Sequence, residues 1–237
     1  MPRKSTKAHI APPFRPLRWA FGRAVWALAL GALCVSVAAL AHRITAPSPT
    51  YYMKQEARRL GQIAHDWTPI ADIAPVMARA TVAAEDANFC NHWGFDMRAI
   101  RQVLERGGAR GASTISQQTV KNVYLWHGRS WLRKALEALI TPVVEAAWTK
   151  RRIIEVYLNV AEFDEGIFGV GAAARHYFGV NAGELTAQQA ARLAAVLPDP
   201  KDRSASKPSD WLRERAAGIM DGAATIRRDG RAACFED

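Results

Sequence analysis

No acidic residue precedes Glu56, whereas Arg3, Lys4, Lys7, Arg15, Arg18 and Arg23 all do. Cysteine is scarce too: three in 237 residues exclude a scaffold built from disulfides. Beyond residue 67 no run alternates apolar and polar residues, so a sheet-based domain is excluded and a mainly α domain is expected. The glycine cluster Gly107, Gly108 and Gly111 lacks the Gly-Lys-Ser/Thr ending of a nucleotide P-loop. Internal repeats are absent, as is low complexity outside the basic N-terminal tail. What remains is one good-sized domain with an appendage and a net charge of +10 from 32 Lys+Arg against 22 Asp+Glu. That charge calls for an anionic partner: nucleic acid, anionic lipid or a phosphorylated substrate.

Only one stretch is long, apolar and free of charge, Ala24 to Ala41, and about 20 such residues span a bilayer as a helix. Trp19 and Trp26 suit the interfacial belt, and the arginines before the run mark that side as cytoplasmic. A cleaved signal peptide competes through the small-residue pattern Ala39-Leu40-Ala41. The length of the apolar run and of its basic lead favours an uncleaved anchor. The chain then divides into a basic cytoplasmic tail (1–23), a transmembrane anchor (24–41), a juxtamembrane connector (42–66) and a main domain (67–237). Cys34 falls in the anchor. Cys90 and Cys234 face an oxidising compartment where disulfides persist, which leaves their pairing an open question.

Ahead of Glu85 and Asp86 runs the small apolar segment Thr81-Val82-Ala83-Ala84, and the nearest cation is Arg79. Two acids behind an apolar segment are costly in a core unless paired; they form either an acidic helix end or a catalytic site. After the glycine loop, Ser113 reads as the N-cap of a helix through Leu125. On it Thr114, Gln118 and Lys121 stand at i, i+4 and i+7, a polar face that is either solvated or a cradle for phosphate. Arg129, Arg133 and Glu137 step by four with Lys134 alongside: a surface ion-pair ladder or a cationic pyrophosphate site. Pro142 should kink or end that helix. Further helices are expected after Lys150, before Gly179, from Thr186 to Leu197 and, basic and peripheral, from Trp211 to Arg228.

Five blocks, in this order, resemble the glycosyltransferase family 51 domain of the monofunctional peptidoglycan transglycosylases. They are Glu85-Asp86-xx-Phe89-xx-His92-x-Gly94; Gly111-Ala-Ser-Thr-Ile-Ser-Gln-Gln-xx-Lys121-Asn122; Arg129-xxx-Arg133-Lys134-xx-Glu137; Lys150-xx-Ile-Ile-Glu155-x-Tyr157-Leu-Asn159; and Leu185-Thr186 to Leu197-Pro198. They cover residues 67–200. Asp164, where the family usually has glycine, and Gln189, where glutamate is frequent, depart from the pattern.

The resemblance implies a lysozyme-like α-helical glycosyltransferase domain behind a single transmembrane helix. No penicillin-binding domain is expected after it. It further implies polymerisation of lipid II into glycan strands, with inversion at the anomeric carbon and release of undecaprenyl pyrophosphate, on the periplasmic face of the inner membrane. Glu85 is carried over as general base, and Glu137 as the second carboxylate. Lys121, Arg129, Arg133 and Lys134 would meet the pyrophosphate. Ser113, Thr114, Gln117, Gln118 and Asn122 would position sugar and phosphate, with Asp86, Phe89 and His92 supporting Glu85. A divalent cation, Mg or Mn, on the pyrophosphate stays open, though no ligand set demands one. Partners are lipid II, the nascent strand, the membrane and other cell-wall synthases; nucleic acid fails on topology. Two rivals are a lysozyme-type hydrolase, which would not need the cationic cluster, and an anchored scaffold, which would not need Glu85.

Overall fold

The computed structural model describes residues 15–105, 107, 111, 113–128 and 130–236, with the side chains of 15–18 left aside. Two units are distinct, one ending at Ala38 and one running from Ala39 onward. The first consists of most of α1 (Arg15–His42), which contains the apolar stretch Trp19–His42, the one helix among the described residues long and apolar enough to cross a membrane.

The second unit is mainly α. It contains α2 (Tyr51–Leu60), α3 (Pro75–Glu85), α4 (Met97–Glu105), α5 (Ile115–Tyr124), α6 (Trp131–Ala147), α7 (Lys150–Val160), α8 (Val170–Phe178), α9 (Ala187–Val196), α10 (Asp210–Arg228) and the single turn α11 (Ala233–Glu236). Their starts are chemically marked. Pro75 opens α3, and Thr50, Thr114, Ser130, Thr149, Thr186 and Ser209 cap α2, α5, α6, α7, α9 and α10 through side-chain oxygens. Helices α3, α9 and α10 pack on one another through small residues: Ala78, Ala80, Ala190, Ala194, Ala216 and Ala223 are buried. Helix α7 lies against α5 and carries four of the largest fully buried side chains, Ile153, Ile154, Tyr157 and Leu158.

Several details differ from the sequence reading. Helix α5 is capped by Thr114, not Ser113, and ends at Tyr124. Helix α6 runs through Pro142; the carbonyl that the proline leaves unbonded belongs to Ala138, on the exposed side of the helix, where it costs little. Helix α10 is not peripheral, because Leu212, Ala216, Ile219, Ala223 and Ile226 are buried. A three-stranded sheet also exists: β1 (Ala64–His65), β2 (Glu162–Asp164) and β3 (Ile167–Phe168), in the order β1-β3-β2, with β1 parallel and β2 antiparallel to β3. Strands of two or three residues carry no readable period.

Both departures from the family pattern are absorbed. Asp164 lies on β2, where its carboxylate accepts from the Glu165 N–H at 2.7 Å and pairs with His176 at 3.0 Å. Gln189 accepts from the Thr186 N–H at 2.9 Å and completes a capping box, a task glutamine performs as well as glutamate. Cys90 and Cys234 are joined by a disulfide.

Candidate active site

Glu85 is the last residue of α3, and burial raises its carboxyl above the usual range. Opposing that shift, the Gln118 side-chain amide donates to Glu85 Oε2 at 2.8 Å, and the charges of Arg215 and Lys121 act in the same sense. The Gln118 amide is itself oriented. Tyr157, 2 % exposed, donates its hydroxyl to Gln118 Oε1 at 3.2 Å, which turns the NH2 group toward Glu85. Arg215 on α10 donates to the Ala84 carbonyl at 3.3 Å, next door to Glu85.

Asp86 has other partners. Its carboxylate bonds His92 Nε2 at 2.8 Å and accepts the Ile115 N–H at 3.0 Å. An acid on the first amide of α5 satisfies an orphan donor and complements the helix dipole. Asp86 and His92 thus tie the end of α3 to the start of α5. Phe89 is buried beneath them, its ring 6.3 Å from that of His92 and covered by the Lys150 ammonium at 4.5 Å.

At the same helix start Thr114 and Gln117 form a capping box, and the Thr114 hydroxyl donates to the Gly94 carbonyl at 2.7 Å. Thr114 and Gln117 are buried while Gln118 and Lys121 are half-buried, so the expectation that Thr114 shares one polar face with Gln118 and Lys121 is corrected. Its oxygen is committed to the cap.

Glu137 is 2 % exposed, which removes the reading of a surface ladder. It pairs with Arg133 at 2.8 Å and with Lys134, while Gln117 Nε2 approaches it at 3.5 Å. Lys134 also donates to Ser113 Oγ at 3.1 Å. Arg129 lies outside the described residues. Lys121 has no hydrogen-bond or ion-pair partner among the described residues. Burial and the Arg133 charge lower its ammonium below the usual lysine range, while Glu137 and Glu85 act in the opposite sense. Both carboxylates favour the charged Lys121 from a distance, and an anion would offset its desolvation.

Two cavities open at the site, one lined by Glu85 and the other by its partner Gln118. One, of about 160 Å³, is lined by Glu85, Asp86, Ser113 and Thr114. The other, of about 350 Å³, is lined by Gln118, Lys121, Asn122, Tyr157, His127 and Lys201. His127 stacks on Tyr52 with ring centroids 3.5 Å apart, and burial lowers its pKa to about 3, so it is neutral. Among the described residues no group of three or more His, Cys, Asp or Glu side chains is arranged to hold a metal ion.

Sequence reasoning missed Tyr157, Arg215, His127 and Lys201. The place of Tyr157 in the Glu-x-Tyr-Leu-Asn block was the available signal. Arg215 carried none, since it sits on a helix with no motif.

A carboxylate of raised pKa beside a partnerless lysine and a buried, doubly paired glutamate is the equipment of a group-transfer enzyme with an anionic leaving group. The family model described as Transglycosylase matches residues 37–224, and the chain belongs to that family, whose members are glycosyltransferases. Among its relatives, a protein of Jannaschia sp. (strain CCS1) is 62 % identical over 206 residues, 87 % of this chain and 86 % of its own length. One from Caulobacter vibrioides is 45 % identical over 202 residues, 84 % and 88 % of the two chains, and one from Pseudomonas entomophila 56 % over 158 residues, 65 % and 67 %. All three bear the name biosynthetic peptidoglycan transglycosylase.

Proposed function

We propose that this chain polymerises lipid II into peptidoglycan glycan strands. The observation that carries the reading is that Glu85, held by the Gln118 amide at 2.8 Å, and the unpartnered Lys121, one turn further along α5, feel each other's charge without forming an ion pair. Glu85 removes the proton from the sugar 4-hydroxyl of one lipid II as its oxygen attacks the anomeric carbon of the growing chain's terminal sugar. The bond from that carbon to the pyrophosphate oxygen breaks, its electron pair leaves with undecaprenyl pyrophosphate, and the configuration inverts. General-base assistance supplies about 10²–10⁴-fold.

Lys121, Arg133 and Lys134 receive the charge that develops on the leaving group, the role that the motif also gives to Arg129. Glu137 holds Arg133 and Lys134 in place before the substrate arrives. Asn122 and Ser113 line the two cavities where sugar and phosphate would rest. A divalent cation would enter on the diphosphate, as part of the substrate. The catalytic unit would work on the periplasmic face of the inner membrane, where both substrates are embedded, with other synthases beside it; the basic residues ahead of the apolar helix support that orientation.

Incubating the full chain with lipid II in detergent should give long glycan, and Glu85→Gln should give none. Release of fragments from finished wall without any polymer would overturn the reading in favour of a hydrolase.

A further inference from the structure

Cys90 sits two residues before His92, on the loop that fixes Asp86, and nothing in the reaction uses it. The segment that holds it, Asp229 to Glu236, lies beyond residues 37–224 matched by the family model. That segment touches the loop three times. Arg231, paired with Asp229 at 2.7 Å, donates to the Ala87 carbonyl at 2.9 Å. Cys234 is bonded to Cys90. Phe235 is buried with its ring 6.2 Å from that of Phe89. On its other side the segment is held by rigid helices: Arg79 of α3 bonds Glu236 at 2.5 Å, and Arg151 of α7 bonds the Glu236 carbonyl at 2.8 Å.

We propose that residues 229–236 form a disulfide-latched strap whose Arg231, Cys234 and Phe235 are positioning residues for Glu85, so that opening the latch lowers the transfer rate. The path is short and continuous. The strap fixes residues 87–90, Phe89 fixes the His92 ring, and His92 holds Asp86. Asp86 in turn binds the first amide of α5, the helix that carries Gln118 to Glu85. Both cysteines are partly exposed, so a soluble dithiol can reach the bond. Reduction is a two-electron exchange: the dithiol is oxidised to its cyclic disulfide, and Cys90 and Cys234 each receive one proton and become thiols. A group displaced by about 1 Å can cost about 10²-fold in rate; a loosened loop displaces Glu85 part of the time.

The proposal rests on the transfer activity above, and the test separates the two. The full chain in detergent is assayed with lipid II, oxidised and after treatment with dithiothreitol, while thermal melting and amide exchange are followed. The expected result is a fall in kcat of about tenfold with KM unchanged, faster exchange of the Ile115 amide, and recovery of both on reoxidation. Cys90→Ser/Cys234→Ser should match the reduced protein and ignore dithiothreitol. If reduction unfolds the whole chain, Arg231→Ala decides, because it keeps the disulfide and removes one attachment: a lowered kcat at an unchanged melting temperature supports the strap. An unchanged kcat in the folded, reduced protein, or in Arg231→Ala where reduction unfolds the chain, overturns it. Absence of polymer from the oxidised wild type refutes the activity instead, and the Ile115 amide still reports on the strap.

Discussion

The base at Glu85 works only when ionised, so the forces that set its pKa set the acid limb of the reaction. Burial disfavours the anion, while Gln118 and the Arg215 and Lys121 charges favour it. The limb of kcat/KM should therefore lie above the ordinary carboxylate range. Gln118→Leu deletes a donor to the charged form, so the neutral acid gains and the limb should move up again, by about one pH unit if that bond contributes about 1.5 kcal/mol. Tyr157→Phe should shift it in the same direction by less, because the freed amide still reaches Glu85 part of the time. A pH profile that is unmoved in both variants would deny Gln118 this role. At the other end Lys121 must keep its proton to hold a diphosphate, and its lowered pKa brings the alkaline limb below the usual lysine range. Bound pyrophosphate restores the proton, so that limb should appear in kcat/KM and fade in kcat. Glu85 and Lys121 were legible because carboxylate and ammonium announce their chemistry in one dimension. The hydroxyl of Tyr157 was not, since a buried tyrosine at a helical period reads as packing until its partner is seen.

At the scale of elements, the start of α5 is where the site is assembled. Asp86, Thr114 and Gln117 each satisfy a donor there, and the Gly94 carbonyl accepts from Thr114. Gly94 has φ +84°, and a Cβ on it would stand 2.6 Å from Thr141 Cγ2 and 3.2 Å from Glu145 Cγ. Gly94→Ala should cost about 2–4 kcal/mol, read as a lowered melting temperature. Thr114→Val keeps the shape but loses the cap and leaves the Gly94 carbonyl unpaired, so about 2 kcal/mol should go, while Thr114→Ser should restore most of it. The choice between Ser113 and Thr114 as cap was in fact written in the chain. Gln117 stands three residues after Thr114, the spacing of a capping box, whereas Ser113 is followed at that spacing by Ser116. The same spacing joins Thr186 to Gln189.

On the scale of the whole molecule, the helical class and the order of the motif blocks could be read because each block is local. The parts hidden from the sequence are those made through space: a sheet whose first strand lies about a hundred residues from the other two, and a disulfide closing a loop of 144 residues. The junction between anchor and domain is another such part. The second unit begins at Ala39, inside α1, and the buried Trp148 indole donates to the Ala39 carbonyl at 2.7 Å. Arg152 donates to the carbonyls of His42 and Thr45, at 2.9 and 2.5 Å. The end of the anchor helix is therefore part of the folded domain. A chain starting at Pro47 leaves the buried indole N–H without its acceptor, at a cost of about 1–3 kcal/mol, whereas the two carbonyls lost to the partly exposed Arg152 are replaced by water. Its melting temperature should fall by about 5 °C below that of a chain starting at Val37, both measured in the same detergent. Equal melting temperatures would mean that the last turn of α1 lends the domain no stability, and the anchor would then be a tether alone.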